Sequence, residues 1–428
     1  MPAFFDSLAS FGESPALVDR ASGVVIPYSG LLDVLRKHEP ADSGKPTLLS
    51  GSPDLPTALR LLAVLAAGRV VAPLSPRLPA TEVRRRGERI SLRIEPGNAA
   101  TILFTSGSSG TAKAVWHDLE SHVRSAKAAS SRIPLGPGCG WVLSLPFHHV
   151  SGLAILIRCL FSGAAVVFPD RNQPLIQQLN DPLASHASLV AVQLQRLVES
   201  KAQGASLQAV LCGGGPFSEP LVRCAINSGI PLHLTYGMTE AASQITTSQR
   251  LTHLQDLLHV GHALPGSEVA LSATGEILVK SPSLARLILR GQREWLHPCD
   301  ADGWFPTGDA GVFAPGGELV VLGRCDRMLI SGGENIHPEC IEQLLSGVEK
   351  IRRAVVVAVP DKKYGQRPAA FISGDVEVST LREFLSASLE SFAVPDHFYP
   401  WPDGVPADTE KIDYKYFEAL AVGQIGGM

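Results

Sequence analysis

Two places in the chain combine residue types that ordinary packing does not require. The first is TSGSSGTAK, Thr105 to Lys113, which directly follows the apolar stretch TILF. Thr105, Ser106, Gly107, Ser108, Ser109, Gly110 and Thr111 are small and hydroxyl-bearing or lack a side chain. Their backbone N–H groups can therefore come close to phosphate oxygens, while Lys113 supplies a mobile cation. A merely flexible Ser/Gly linker would need neither a strand before it nor a lysine after it, and the spacing is not that of the GxxxxGK[ST] loop. The second place is Arg158, set in the apolar run LAILIRCLFSGAAVVF. A guanidinium is costly in such surroundings unless it is paired. Either its stem is buried and its head reaches solvent at the edge of the segment, or it waits for an anion.

The elements that must carry these groups read as an α/β protein. TLLSGS, a turn at Pro53-Asp54, the apolar-striped LPTALRLLAVLAAG and RVVAPL make a βαβ unit, and similar alternation recurs in AATILFTSG, WVLSLP, ASLVAVQLQRLVES and QAVLCGGG. From about Ala263 short alternating strands with Gly and Pro turns, as in GSEVALSATGEILVKS and GELVVLGR, predict a small β-rich subdomain. Beyond Cys325 and Asp326, a helix (PECIEQLLSGV), two strands (RRAVVVAVP, AAFISG) and a second helix (STLREFLSASLES) predict a compact α+β module. The expected organisation is thus a large N-terminal domain, 1–325, and a small C-terminal domain, 326–428.

Composition narrows the partners. With 428 residues, 45% hydrophobic and 18% charged, the chain can bury a sizeable core, and 37 Lys+Arg against 41 Asp+Glu argues against binding by phosphate neutralisation of nucleic acid. A small-molecule partner is expected. The 7 cysteines are odd in number and never spaced CxxC, so neither a disulfide framework nor a zinc site is indicated and a reducing cytoplasm fits. No signal peptide or membrane span is expected, because the most apolar run is short and interrupted by Arg158. The oligomeric state stays open, a homo-oligomer included.

Taken in order, the motifs resemble the adenylate-forming superfamily of acyl-CoA synthetases, adenylation domains and luciferases, over nearly the whole chain. TSGSSGTAK resembles its phosphate loop, with Ala112 where proline is usual. LPFHHVSGL resembles its substrate-channel motif, with His149 at the histidine position. CGGGPFSEP and TYGMTEAAS resemble the two segments that enclose adenine and reach the α-phosphate. In that reading Gly213, Gly214 and Gly215 let backbone approach a flat ring, Tyr236 stacks on it, Gly237 and Met238 continue the nucleotide stretch, and Thr239 donates to a phosphoryl oxygen. Glu240 would hold Mg²⁺, a hard cation that wants carboxylate oxygen. WFPTGDAG resembles the segment whose aspartate, Asp309, accepts from the ribose hydroxyls, and LGRCDRMLISGGENIHPECIE the one with Arg324 as a second ribose contact and Asp326 as a hinge. Gly332 and Gly333 match the loop lining the pantetheine tunnel of coenzyme A. Near the C-terminus the resemblance makes Lys411 the catalytic lysine, although Glu410 stands where glycine is usual, and Lys415 is the alternative.

The resemblance implies an ATP- and Mg²⁺-dependent acid:CoA ligase. A carboxylate attacks the α-phosphorus and expels pyrophosphate, with Lys113, Lys411 and Mg²⁺ offsetting the charge, and coenzyme A then takes the acyl group. HVSGLAILIR, SLVAVQLQRLV and YGMTEAASQITT are most similar to the o-succinylbenzoate-CoA ligases of menaquinone and phylloquinone synthesis, as is the compact length. That acid has two carboxylates, and Ser151 and Arg158 lie where the second would bind. The alternatives are another aryl- or acyl-CoA ligase, in which Arg158 is structural, a stand-alone adenylation domain that loads a carrier protein, or a nucleotide-binding module without catalysis.

Overall fold

Asp54 starts a helix: its carboxylate accepts from Thr57 N at 3.0 Å, Pro56 occupies the first turn, and the apolar run that follows forms Leu55–Ala66. The strands on either side, Thr47–Ser50 and Val70–Leu74, pair in parallel and complete the βαβ unit read from the sequence. All five residues of Val70–Leu74 are buried, as a strand covered on both faces requires.

The computed structural model describes residues 2–38, 44–90, 100–105, 112–200, 207–253, 259–290, 294–407 and 412–426. The chain divides into two compact units. The larger comprises 1–215, 225–269 and 279–305, and the smaller 216–224, 270–278 and 306–428.

Two sheets organise the larger unit. One has nine strands, in the spatial order His262–Ala263, Ser243–Thr247, Leu232–Met238, Ala209–Cys212, His186–Leu189, Gly140–Val142, Ala165–Phe168, Pro15–Asp19 and Val25–Pro27. From Leu232–Met238 to Pro15–Asp19 every neighbouring pair is parallel. The other has six strands, ordered Glu294–Leu296, Leu287–Arg290, Lys113–Asp118, Ala100–Thr105, Val70–Leu74 and Thr47–Ser50. The helix Val150–Ser162 is apolar on nearly all sides and contributes Leu153, Leu156 and Leu160 to the largest core cluster, with Phe5, Tyr28, Trp141 and Phe168. Gly163 in the left-handed region (φ 74°) ends it.

The smaller unit holds a four-stranded sheet that includes Phe305–Phe313 and Leu319–Arg324, and a five-stranded sheet built on the long antiparallel pair Ile351–Asp361 and Gly365–Gly374. The continuous apolar run RRAVVVAVP has a physical reason. Val356 packs on one face with Leu345, Leu381 and Leu385, while Val355 and Val357 pack on the other with Phe371, Tyr399 and Phe417. The last cluster includes the helix Tyr414–Gly426, which the sequence pattern did not single out. The expected α/β architecture with a smaller α+β part is the observed one. No helix among the described residues is long and apolar enough to cross a membrane.

Buried imidazoles make this fold sensitive to acid. His186 is bonded to Ser185 Oγ (2.8 Å) and to Pro134 O (3.1 Å) and stacks on Trp141, and burial lowers its pKa from 6.5 to about 4. Between those values the unfolded chain binds a proton that the folded chain refuses, so stability is full above pH 6.5 and falls as the pH drops toward 4, by up to about 3 kcal/mol for one such group. Urea unfolding across that range should show a shallower loss for His186→Gln than for the wild type; equal slopes would remove His186 from the acid response.

Candidate active site

Parallel pairing brings the glycine turn and the tyrosine segment to one edge. Val210 pairs with Leu232 and Cys212 with Leu234, so Gly213–Gly215, which follow one strand, come out beside the C-terminal end of its neighbour, Tyr236–Met238. Such strand ends are where open parallel sheets bind ligands. Gly213 packs against Thr235, where a Cβ would come within 2.7 Å of Cγ2, and Gly214 has φ 84°. At Gly237 a Cβ would collide with the backbone oxygen of Ser243, so the antiparallel return strand Ser243–Thr247 closes tightly on the tyrosine segment. Tyr236 is half-buried.

Glu240 lies on a single 3-10 turn, Thr239–Ala241, which continues into Ala242 (φ 53°) and Ser243 (φ 118°). Its backbone oxygen accepts from Ala285 N at 2.8 Å, and its side chain is half-buried. Among the described residues no three His, Cys, Asp or Glu side chains gather as a metal site. One carboxylate fits Mg²⁺ all the same, since that ion is usually held by one or two carboxylates together with substrate phosphates. Thr105 and Lys113 face each other as the last and first residues of the antiparallel strands Ala100–Thr105 and Lys113–Asp118. Ser106, Gly107, Ser108, Ser109, Gly110 and Thr111 lie outside the described residues, as do Glu410 and Lys411.

His149 precedes the first turn of helix Val150–Ser162, exposed, with its ring 4.6 Å from that of His148. Burial and the neighbouring His149 lower the His148 pKa to about 4. Seven residues beyond Ser151, and so on the same helix face, comes Arg158. It is 2% exposed, which rules out a head at the solvent edge. Nη2 donates to Gln244 Oε1, the guanidinium lies 4.6 Å over the Trp141 ring, and Nε is buried without a partner. Gln244 donates in turn to Thr247 Oγ1 (2.7 Å), and Trp141 Nε1 donates to Ser188 Oγ (3.1 Å). No carboxylate among the described residues pairs with Arg158, and burial lowers its pKa to about 10. The sequence reading missed Trp141 and Gln244; Gln244 falls four residues after Glu240 in the same motif, which was the available signal.

Within the smaller unit Asp309 and Arg324 are register partners on adjacent strands. Arg324 Nη1 donates to Asp309 Oδ1 (3.0 Å) and Nε to Asp326 Oδ1 (3.2 Å). Burial works against the guanidinium's charge, but Asp326 and Asp309 outweigh it and raise its pKa. The two ribose candidates and the hinge candidate therefore form one polar cluster. Gly332 (φ 63°) and Gly333 (φ 95°) form the tip of the hairpin Leu329–Ser331 and Glu334–Ile336, where Gly332 N donates to Tyr364 O at 2.8 Å. Lys415 is exposed in the first turn of Tyr414–Gly426.

The fold and these motif segments are those of an enzyme family that binds nucleotides. The chain belongs to the AMP-binding enzyme family, which matches residues 87–289, with the AMP-binding enzyme C-terminal domain matching 340–410. It is 34% identical over 375 residues to the 2-succinylbenzoate–CoA ligase of Escherichia coli (strain K12), covering 81% of each chain, and 35% identical over 314 residues to that of Haemophilus influenzae, covering 71% of this chain and 67% of the relative. Its structure is similar to that of E. coli MenE with a bound m-phenylether-linked analogue of OSB-AMS (TM-score 0.78, 28% identity, 98% of both chains). The fold is also that of o-succinylbenzoate coenzyme A synthetase from Bacillus subtilis in complex with ATP and magnesium ion (TM-score 0.84, 23% identity, 97% of this chain and 99% of that one).

A buried cation without a carboxylate partner should weaken the fold it sits in. Arg158→Met, similar in length and apolar, is expected to leave stability unchanged or raise it by up to about 2 kcal/mol, as replacement of buried charges often does. Thermal melts of the two proteins check this; a marked fall for Arg158→Met would mean that the guanidinium is structural.

Proposed function

We propose that this protein is a 2-succinylbenzoate–CoA ligase. It joins the acid to ATP as an acyl-adenylate, releasing pyrophosphate, and passes the acyl group to the thiol of coenzyme A, releasing AMP. The observation that carries the choice of acid is Arg158, buried with an unpartnered Nε and no carboxylate of its own. An anionic ligand group would supply the missing partner, and a dicarboxylic acid has one to spare after the other is activated. Ser151, on the same face of the helix, is placed to assist.

In the first step a carboxylate oxygen forms a bond to the α-phosphorus as the bond to pyrophosphate breaks. Two anions must meet, so fixed positive charge and alignment do the work, and no covalent enzyme intermediate is needed. Lys113 lies at the end of the phosphate-type loop, and Lys411, with Lys415 as the alternative, is the proposed cation from the C-terminal region. His149 is assigned to the path of the acid. Glu240 would hold Mg²⁺, which when bound neutralises phosphate charge. Gly213–Gly215 and Tyr236 take the adenine, Gly237 to Thr239 the α-phosphate side, and Asp309 with Arg324 the ribose. In the second step the thiol sulfur attacks the acyl carbon and AMP leaves. For this step we assign Gly332 and Gly333 to the pantetheine path, and Asp326 to a hinge between domains 1–325 and 326–428. The cysteines all being free thiols, a reducing cytoplasm suits the protein.

Pyrophosphate release with ATP, Mg²⁺ and a panel of 2-succinylbenzoate, benzoate and medium-chain fatty acids tests the reading. Turnover should favour 2-succinylbenzoate and collapse in Arg158→Ala; preference for a monocarboxylic acid, unchanged by that substitution, would overturn the choice of acid and leave a ligase of another specificity. Lys411→Ala should lower adenylation by about 10²- to 10³-fold, the usual loss for one transition-state charge contact, with Lys415→Ala near wild type. Asp326→Pro should spare adenylation and impair thioester formation. Equal loss of both half-reactions would remove the hinge.

A further inference from the structure

Lys113, Val115 and His117 share one face of the strand Lys113–Asp118, opposite Thr105, Leu103 and Thr101 on the neighbouring strand. The face that begins at the phosphate-type loop thus ends, about 13 Å further on, at an imidazole. His117 is 0% exposed, and its Nε2 lies 2.7 Å from the backbone oxygen of Thr239. A carbonyl only accepts, so the ring carries its hydrogen on Nε2 and donates it. Beside it the His122 ring packs at 5.1 Å and bonds to Thr101 Oγ1 at 2.8 Å, which fixes the plane of His117 from behind.

The receiving carbonyl belongs to the residue before Glu240. Two neighbouring carbonyls are therefore held from the six-stranded sheet: Thr239 O by His117, and Glu240 O by Ala285 N, just ahead of the strand Leu287–Arg290. Both bonds grip the backbone and leave the Glu240 carboxylate half-exposed. Immediately afterwards come Ala242 and Ser243, two of the three non-glycine residues with positive φ among the described residues. A turn with that backbone persists only where its surroundings over-determine it.

We propose that His117 is a positioning residue for nucleotide binding: by donating to Thr239 O from the strand that starts at Lys113, it sets the distance and register between Lys113 and Glu240. This rests on the reading of Glu240 as the carboxylate that holds Mg²⁺. His117 touches no reacting atom and acts through the turn. The deletion of such supporting contacts costs about 10- to 100-fold in affinity or activity.

The test compares the full chain with His117→Phe, which keeps a ring but loses the donor, and His117→Gln, whose amide nitrogen can take the place of Nε2. Calorimetric binding of ATP with Mg²⁺ in the absence of acid should weaken by about 10- to 100-fold in His117→Phe and recover most of that in His117→Gln. Thioester formation from CoA and preformed acyl-adenylate should stay within about twofold of wild type in both, since that step needs no pyrophosphate-bound metal. If His117→Phe does not fold, His117→Asn, too short to reach Thr239 O, replaces it in the comparison with His117→Gln. Unchanged nucleotide affinity in a folded donor-less variant would overturn the proposal, as would parallel loss of both half-reactions, which marks a merely structural role. Glu240→Gln separates the two readings. If it binds Mg²⁺ and ATP normally, the role of Glu240 fails; if it does not while His117→Phe does, only the role of His117 fails.

Discussion

Desolvation of the Arg158 guanidinium is the constraint around which this part of the larger unit is arranged. Removing that charge from water costs several kcal/mol, and the protein returns only part of it. An indole face and one amide oxygen are weaker partners than a carboxylate, and one nitrogen is left with none. The surrounding groups keep the charge in place without neutralising it. Trp141 is itself held by Ser188 and stacked on His186, and Gln244 is held by Thr247, so neither partner is free to turn away. Such surroundings favour an anion over a neutral group of the same size, because only the anion completes the hydrogen bonding of a buried cation.

Sheet pairing places the other motif residues. Every strand from Leu232–Met238 to Pro15–Asp19 runs parallel to its neighbour, so the residues that follow these strands collect at one edge. Gly213–Gly215 follow one strand, Tyr236–Thr239 end the next, and the loop after Gly140–Val142 leads to His149, Ser151 and finally Arg158. Lys113 reaches the turn at Thr239 by a different route, through the six-stranded sheet and His117. Two sheets with separate hydrogen-bond ladders thus hold one turn between them, which is stiffer support than either loop could give alone.

Much of this was legible in the sequence where local chemistry dictates local structure. The βαβ unit at 47–74 follows from Asp54, Pro56 and an unbroken apolar stripe, and the run RRAVVVAVP was legible as a strand, though not that both its faces are covered. The motif residues could be named, and the structure gathers several as adjacent groups: Gly213–Gly215 beside Tyr236, Asp309 against Arg324. What the sequence could not disclose depends on pairing over long separations. Trp141 under Arg158, Gln244 on its Nη2 and His117 beneath Thr239 are 17, 86 and 122 residues from their partners, and no periodicity encodes such contacts. The burial of Arg158 was undecidable for the same reason: a guanidinium's stem and head follow different rules, and only the packing of helix Val150–Ser162 against Trp141 decides between them.

The segment from Tyr236 to Thr247 carries a cost that stability alone would not select. Ala242 and Ser243 occupy backbone regions worth about 1–3 kcal/mol of strain each for residues with a Cβ, and glycine at either position would relieve it. Glu240 stands on one side of them and Gln244 on the other, the latter accepting from Arg158. A regular hairpin would separate these two side chains by the pleat alone, four residues along the same face. The two residues of positive φ break that alternation between Glu240 and Gln244. Two departures from local preference, a buried charge and a strained turn, thus meet through Gln244, and departures of this kind are where a sequence answers to more than its local structure.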